Sequence, residues 1–313
     1  MESVKNLEKE MTKGQKFPSK LLLFGEYSVF AGSGAVALPL PHFYGQFSHN
    51  EQMARQQKDQ LEPFFEYLKK INARRNFLDI AQMEEALSRG YYLKSNIPTG
   101  CGLGSSGVLS AALLSAFGKG KNKNLNSVRK DLQMIEAYFH GRSSGLDPLV
   151  SYYSQKIALM NDQVEVLSEL PTTSPLPFRV FIYNSNTKRN TSQLVAVFQE
   201  LMREEEYSTQ FKDTYIPEVK HSIRSFLTGN VDALFEGLKN ISKLQLQLFK
   251  PMIPAAIYSI WKRGAENNRY FFKLCGAGGG GYFFIFSKGE KPLSGREGLL
   301  DVTSSLFSDF TDQ

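Results

Sequence analysis

The stretch "IPTGCGLGSSGVLSAALLSAFG", residues 97–118, decides how this chain is read. A glycine-rich opening carries two adjacent serines and then runs on without a single charge. The spacing Gly102-x-Gly104-x-x-Gly107 satisfies the dinucleotide-binding fingerprint. So does a distant stretch, "LCGAGGGGYFFIF" (274–286), which starts from Gly276 and Gly278. Two matches in one chain cannot both open a Rossmann unit, so context has to decide. That fingerprint needs an entering strand, a helix, and an acidic residue about 20 positions on, at the end of the next strand. The helix after Gly107 runs instead into the basic turn "GKGKNKN" (118–124), and the next acidic residue, Asp131, sits inside a helical pattern. After the second glycine run comes "YFFIF", a strand. No Gly-Lys-Ser/Thr follows either loop, so the Walker A pattern is absent too. What remains is a loop that brings backbone N–H groups and the positive end of a helix dipole to one point, which is an anion site on physical grounds. The plainer alternative is a tight turn with a serine N-cap.

The elements around the two loops follow from periodicity. "KLLLF" (20–24) reads as a short buried strand, with turn signals at Gly32–Gly34, a strand over 35–38 and an edge or hairpin strand over 42–49. Residues 51–89 read as helical with an interruption near Pro63, and 91–95 as a strand leading into the first loop. From Ser105 to Phe117 apolar residues lie all round, which describes a helix buried on every side. Leu125, Val128, Leu132, Ile135 and Phe139 space an amphipathic helix that Gly141 stops. A loop and short helix follow, then a hairpin over 156–167. "PTTSPLP" (171–177) is the best linker candidate. Beyond it come a strand (178–183), a helix from about Thr191, helical stretches to about 267, and strands over 270–274 and 282–287. Strands and helices mix without regular βαβ alternation, so the expected class is α+β.

Composition narrows the partners. The 313 residues are enough for two domains, and 42% hydrophobic with 22% charged residues describes an ordinary globular chain. No apolar run approaches the ~20 residues of a membrane span. "MESVKNLEKEMTKGQK" lacks the apolar core of a signal peptide, and its acidic residues argue against a transit peptide; it reads as a poorly ordered arm. The net charge of +6 is scattered rather than striped with aromatics, which argues against nucleic acid and suits a small anionic substrate. Two cysteines, Cys101 and Cys275, both lie in the glycine-rich stretches and suit a reducing cytoplasm. Four scattered histidines make no Cys/His metal pattern.

Five stretches together resemble one family. "PTGCGLGSSG" resembles the central motif of the GHMP kinases, "SKLLLFGEYSVF" (19–30) the N-terminal one and "KLCGAGGGGYFFIF" (273–286) the C-terminal one, in the family's order and across most of the chain. "EAYFHGRSSGLDPLVS" (136–151) and "NTKRNTSQLVAVF" (186–198) are similar to segments of its mevalonate kinase branch, in the bacterial wording. The resemblance implies the GHMP kinase fold: an N-terminal ribosomal S5 domain 2-like half, 1–172, and a C-terminal ferredoxin-like half, 173–313, with the active site between them. It implies ATP- and Mg²⁺-dependent transfer of the γ-phosphoryl group to the 5-hydroxyl of mevalonate, in the cytoplasm, with a possible homodimer. Alternatives are phosphomevalonate kinase, a decarboxylating relative, or a non-catalytic sensor of nucleotide or metabolite. The last would have lost Asp147, Lys20 or Glu136, and all three are retained.

Residue by residue, the resemblance makes Asp147 the catalytic aspartate and Lys20 the cation beside it. Pro98, Gly100, Gly102, Leu103, Gly104, Ser105, Ser106 and Gly107 would hold the ATP phosphates, and Ser106 with Glu136 the Mg²⁺. Glu26, Tyr27, Thr187, Gly276, Ala277 and Gly278 would face the acceptor. The chain departs from its relatives at Tyr27, where mevalonate kinases commonly carry His; Gly-Glu-Tyr is common in bacterial phosphomevalonate kinases. Read locally, Asp147 before Pro148 is also a plausible N-cap. His140 reads as structural, and Lys188 with Arg189 could bind a substrate anion.

Overall fold

The computed structural model describes residues 14–98, 100–120, 124–141, 143–167, 177–188, 191–289, 291–293 and 295–307. Most of the expected amino-terminal arm and linker, the middle of the basic turn, Arg189 and the side chain of His140 lie outside the described residues.

The chain opens with β1 (Lys16–Phe24), a 3-10 turn (Ser28–Ala31) and β2 (Ala35–His49). Then come α1 (Glu51–Arg75), α2 (Ile80–Ser88), β3 (Tyr91–Ser95), α3 (Ser105–Phe117), α4 (Leu125–His140) and α5 (Leu146–Tyr153). The hairpin β4 (Lys156–Met160) and β5 (Gln163–Leu167) precedes β6 (Arg179–Asn184). Helices α6 (Thr191–Leu201), α7 (Glu205–Gln210), α8 (Ile216–Leu227), α9 (Val231–Leu248) and α10 (Ala255–Glu266) follow, with a single π-helical turn (Phe211–Tyr215) before α8. The chain ends on β7 (Phe271–Leu274), β8 (Tyr282–Ser287), β9 (Leu299–Asp301) and α11 (Thr303–Phe307). The class is α+β, as the element order implied.

Contacts divide the chain into two compact units that interleave in sequence. The first gathers Met1–Lys20, Pro39–Ile97 and Gly104–Gln155; the second gathers Leu21–Leu38, Pro98–Leu103 and Lys156–Gln313.

In the first unit β3 pairs antiparallel with the second half of β2, from Gly45 opposite Ser95 to His49 opposite Tyr91. Helix α3 is buried nearly all round, through Val108, Ala111, Ala112, Leu113, Leu114 and Phe117, as its uniformly apolar composition requires. Asn124 caps α4 by accepting from the Ser127 N–H at 2.9 Å, and Gly141, at φ 70°, ends it. The expected break near Pro63 is not there: α1 runs through it for 25 residues. Proline removes one ladder hydrogen bond, but Phe64, Phe65 and Leu68 just beyond it are buried, and that packing outweighs the loss. The helix stops instead at Asn76, in left-handed geometry at φ 48°. There the Asn72 side chain clips both backbone groups of Leu78, at 2.8 and 2.9 Å. The two strands expected over 35–38 and 42–49 are one, continuous through Pro39 and Pro41; neither proline falls in a registered pair with β3 or β4.

In the second unit β4 pairs with residues 35–37 of β2 and with β5. A separate four-stranded sheet runs in the order β7-β8-β6-β9, with Phe272 opposite Ile285 and Val180 opposite Phe286. Every residue of β7 and β8 is buried, which fits two strands written almost wholly in apolar letters. Trp261 of α10 stacks on Phe272 at 5.8 Å and donates its indole N–H to the Ser242 hydroxyl of α9 at 2.8 Å.

Candidate active site

The first glycine loop ends at the N-terminus of α3. Its N-cap is Gly104, left-handed at φ 79°, and no side chain caps the helix. That overturns the serine-cap alternative: Ser105 and Ser106 already lie inside the first turn. First-turn N–H groups of an α-helix have no acceptor within the helix, so with no side-chain cap this end presents donors. Gly104 also sits against Lys20, where an added Cβ would lie 3.0 Å from Cγ. At Gly107 an added Cβ would lie 3.1 Å from the Pro148 nitrogen and 3.3 Å from the Asp147 Cβ. The absent side chain lets the first turns of α3 and α5 approach each other.

That approach sets Asp147 beside the loop. The N-cap of α5 is Gly145, and Asp147 lies in the first turn, so its carboxylate does not cap the helix. It pairs with Lys20 instead, Nζ to Oδ2 at 2.7 Å. The lysine side chain is 6% exposed and the aspartate 30%, so one partner is anchored and the other is open to a substrate. The segment before α5 is held by α4: Arg129 Nε and Gln133 Nε2 both donate to the Ser144 carbonyl, at 2.8 and 2.9 Å.

Glu136, on the same helix, is 4% exposed. One carboxylate oxygen accepts from Ser106 Oγ at 3.4 Å and the other from Ser143 Oγ. Burial first, and then the charge of Asp147, push its pKa up from 4.5 to about 7 against the pull of Ser143, Lys20 and Ser106. A buried carboxylate that resists ionisation beside a second one is an environment short of positive charge. Among the described residues no three His, Cys, Asp or Glu side chains gather to hold a metal. The oxygens of Glu136 and Ser106 fit a hard divalent cation whose remaining ligands are phosphate and water.

The second glycine run belongs to the second unit and meets its own set of residues. Tyr27, left-handed at φ 58°, donates its hydroxyl to the Ala277 carbonyl at 2.7 Å. Its ring stacks on Phe249 at 5.3 Å and tilts against Phe198 at 4.6 Å. Thr187 accepts through its carbonyl from the Gly281 N–H at 2.9 Å, and the Tyr282 N–H reaches the Cys101 carbonyl at 3.4 Å. Glu26 is fully buried and paired with Lys273. Lys188 lines a recess of about 290 Å³ with Gln193, Leu194, Pro251, Ile253, Pro254 and Gly279.

The structure therefore assembles two groups of the expected residues. Lys20, Gly104, Ser105, Ser106, Gly107, Glu136 and Asp147 gather in the first unit. Glu26, Tyr27, Thr187, Gly276, Ala277 and Gly278 lie in the second, as do Pro98, Gly100, Gly102 and Leu103. Of these Gly100 is exposed and Leu103 buried. Sequence reasoning missed Arg129, Gln133, Ser143 and Lys273. Only Lys273 left a signal, as a lysine inside the apolar strand "FFKL".

Residues 66–155 match the family of the GHMP kinases N terminal domain. Over 289 residues the chain is 27% identical to a mevalonate kinase of Archaeoglobus fulgidus, covering 88% of this chain and 92% of that one. Its fold is similar to that of L. major mevalonate kinase, solved with R-mevalonate: TM-score 0.58 at 17% identity, over 89% of this chain and 88% of the other. It is similar as well to Streptococcus pneumoniae phosphomevalonate kinase, solved with phosphomevalonate and AMPPNP, with TM-score 0.62 at 15% identity, over 88% and 92%.

Proposed function

We propose, from the match of residues 66–155 to the GHMP kinases N terminal domain and the similarity to a mevalonate kinase over most of both chains, that this chain is a GHMP kinase and moves the γ-phosphoryl group of ATP to the 5-hydroxyl of mevalonate, a step of isoprenoid synthesis. The observation that carries this reading is the Lys20–Asp147 pair beside the uncapped N-terminus of α3. The near-full-length similarity to a mevalonate kinase supports the acceptor.

The roles follow from the chemistry. Donors at the start of α3, with Gly104–Gly107 allowing close approach, hold the phosphate oxygens. The acceptor hydroxyl lies within reach of the Asp147 carboxylate, which takes its proton as the new O–P bond forms and the bond from Pγ to the ADP oxygen breaks. Lys20 pairs with the Asp147 carboxylate and faces the charge that develops on the transferring group. Glu136 and Ser106 would hold Mg²⁺, which when bound neutralises phosphate charge. Tyr27, Thr187 and the Gly276–Gly278 backbone form the acceptor surface, and Glu26 supports the turn that carries Tyr27. The same proposal includes the division into halves 1–172 and 173–313, a cytoplasmic setting and a homodimer.

Two observations favour a second reading, phosphomevalonate kinase. Tyr27 stands where mevalonate kinases commonly have His, and the chain carries a net charge of +6. The test is ADP release by purified protein with Mg-ATP, offered mevalonate and 5-phosphomevalonate separately, with Asp147→Ala alongside. Turnover of mevalonate, lost in the variant, is the expected result. Turnover of the phosphorylated acceptor alone moves the assignment one step along the pathway, and silence with both refutes each acceptor.

A further inference from the structure

Lys273 has no place in the chemistry above, yet among the described residues it is the most deeply enclosed charged residue of the second unit. Its side chain and that of Glu26 are both 0% exposed. The ammonium donates to the Glu26 carboxylate and, at 2.8 Å, to the Leu274 carbonyl, and it lies 5.4 Å over the Phe284 ring. Neutral polar groups close the network. Gln245 accepts from the Leu274 N–H at 2.8 Å and donates to the Tyr215 hydroxyl at 2.8 Å. Burial first, and then the Glu26 charge, hold the Tyr215 hydroxyl well above its usual pKa, so it stays protonated.

Taking two charges wholly out of water is costly, and well-packed apolar residues often serve stability as well or better. What such a pair supplies is direction. Glu26 sits one residue before Tyr27, and Lys273 sits four before Ala277. The ion pair and the bond from the Tyr27 hydroxyl to the Ala277 carbonyl therefore join the same two segments at two points. Tyr27 also holds a left-handed backbone at φ 58°, which a residue of its size keeps only where its surroundings over-determine it.

We propose that Lys273 is a positioning residue for the acceptor: through Glu26 it locks the Gly25–Tyr27 turn to the glycine run, so that Tyr27 and Ala277 present one fixed surface. This rests on the proposed function, because only that reading makes Tyr27 and Ala277 an acceptor surface. Lys273 acts on position and touches no reacting atom.

The test compares Lys273→Met with the double variant Glu26→Gln/Lys273→Met. The single variant strands a buried carboxylate and lowers the melting temperature. The double variant removes both charges and regains most of that loss. Its acceptor KM stays raised by about tenfold or more, because small misplacements are costly in rate and binding, while its KM for Mg-ATP stays within about twofold of wild type. A double variant with wild-type acceptor KM would reduce the pair to a stabilising contact and overturn the proposal, as would equal rises in both KM values. If wild type turns over neither mevalonate nor phosphomevalonate, the functional reading falls alone, and positioning is read from hydrogen exchange. Faster exchange in both 25–31 and 275–281 in the thermally recovered double variant upholds the lock; unchanged exchange in either segment refutes it.

Discussion

Two lysine–carboxylate pairs begin within six residues of each other on the chain, at Lys20 and at Glu26, and they differ in what they leave open. In the Lys20–Asp147 pair the lysine is enclosed, but the aspartate is 30% exposed. In the Glu26–Lys273 pair neither side chain is exposed at all. The same two functional groups thus do different work. A carboxylate partly open to solvent can exchange a proton with a bound hydroxyl. A carboxylate sealed against a lysine can only hold its neighbours in place. Charge in a motif says nothing of which role it plays until burial is known.

The largest test of that contrast is Asp147→Ala. If the open pair carries the chemistry, kcat falls by about 10³-fold, alongside a modest loss of melting temperature because the enclosed Lys20 ammonium loses its partner. A fold collapse instead of a rate loss would make the open pair structural and erase the difference. Lys20→Met comes next. Removing the cation beside the reacting oxygen lowers kcat by about 10²-fold, measured by the same ADP release under saturating substrates. A loss seen only in KM would move Lys20 from chemistry to binding.

Gly104→Ala sharpens the comparison from the loop side. Alanine at φ 79° is strained by about 1–2 kcal/mol, and its Cβ would press on the Lys20 side chain at 3.0 Å. The KM for Mg-ATP rises by about tenfold, since roughly 1.4 kcal/mol corresponds to that factor. An alanine variant with unchanged nucleotide affinity would mean that the helix end does not receive the phosphates.

The sequence showed the open pair more clearly than the sealed one, for a physical reason. Asp147 stands two residues after Gly145, in the first turn of a helix, and Lys20 heads the apolar run "KLLLF" although the strand it lies in begins earlier, at Lys16, so both are polar residues set off against their neighbours in the sequence. Helix α3 was equally legible, because a run with no charge can only be buried. Lys273 was hidden in a strand whose other residues all read as core. A lysine there is intelligible only once its partner, 247 residues away, is folded against it. The clamp of Arg129 and Gln133 on Ser144 was illegible for the same reason: it is made with a backbone carbonyl, which no side-chain pattern announces. Pro63 misled in the other direction. A local rule about proline predicts a break, whereas the buried faces of Phe64, Phe65 and Leu68 keep the helix whole.

The smallest effect concerns Glu136, which lies between the two extremes: sealed like the second pair, yet close enough to Asp147 of the first to feel its charge. Its pKa rises from 4.5 in an unstructured chain to about 7 in the folded, metal-free protein, chiefly through burial. The folded state therefore binds the proton more tightly than the unfolded one, and stability falls as pH rises between these two values. The contribution is fully present below about pH 4.5 and gone above about pH 7. Glu136→Gln abolishes this slope, because the amide is neutral throughout. It makes the metal-free protein more stable than wild type at pH 8, by on the order of 1 kcal/mol or more. Thermal melts in chelator across pH 5–8 measure it, and Mg-ADP gives the opposite sign: wild type gains melting temperature with the nucleotide, and the glutamine variant gains less. Parallel melting curves for the two proteins at every pH would show that Glu136 is ionised without cost, and the site would then have no need of a cation.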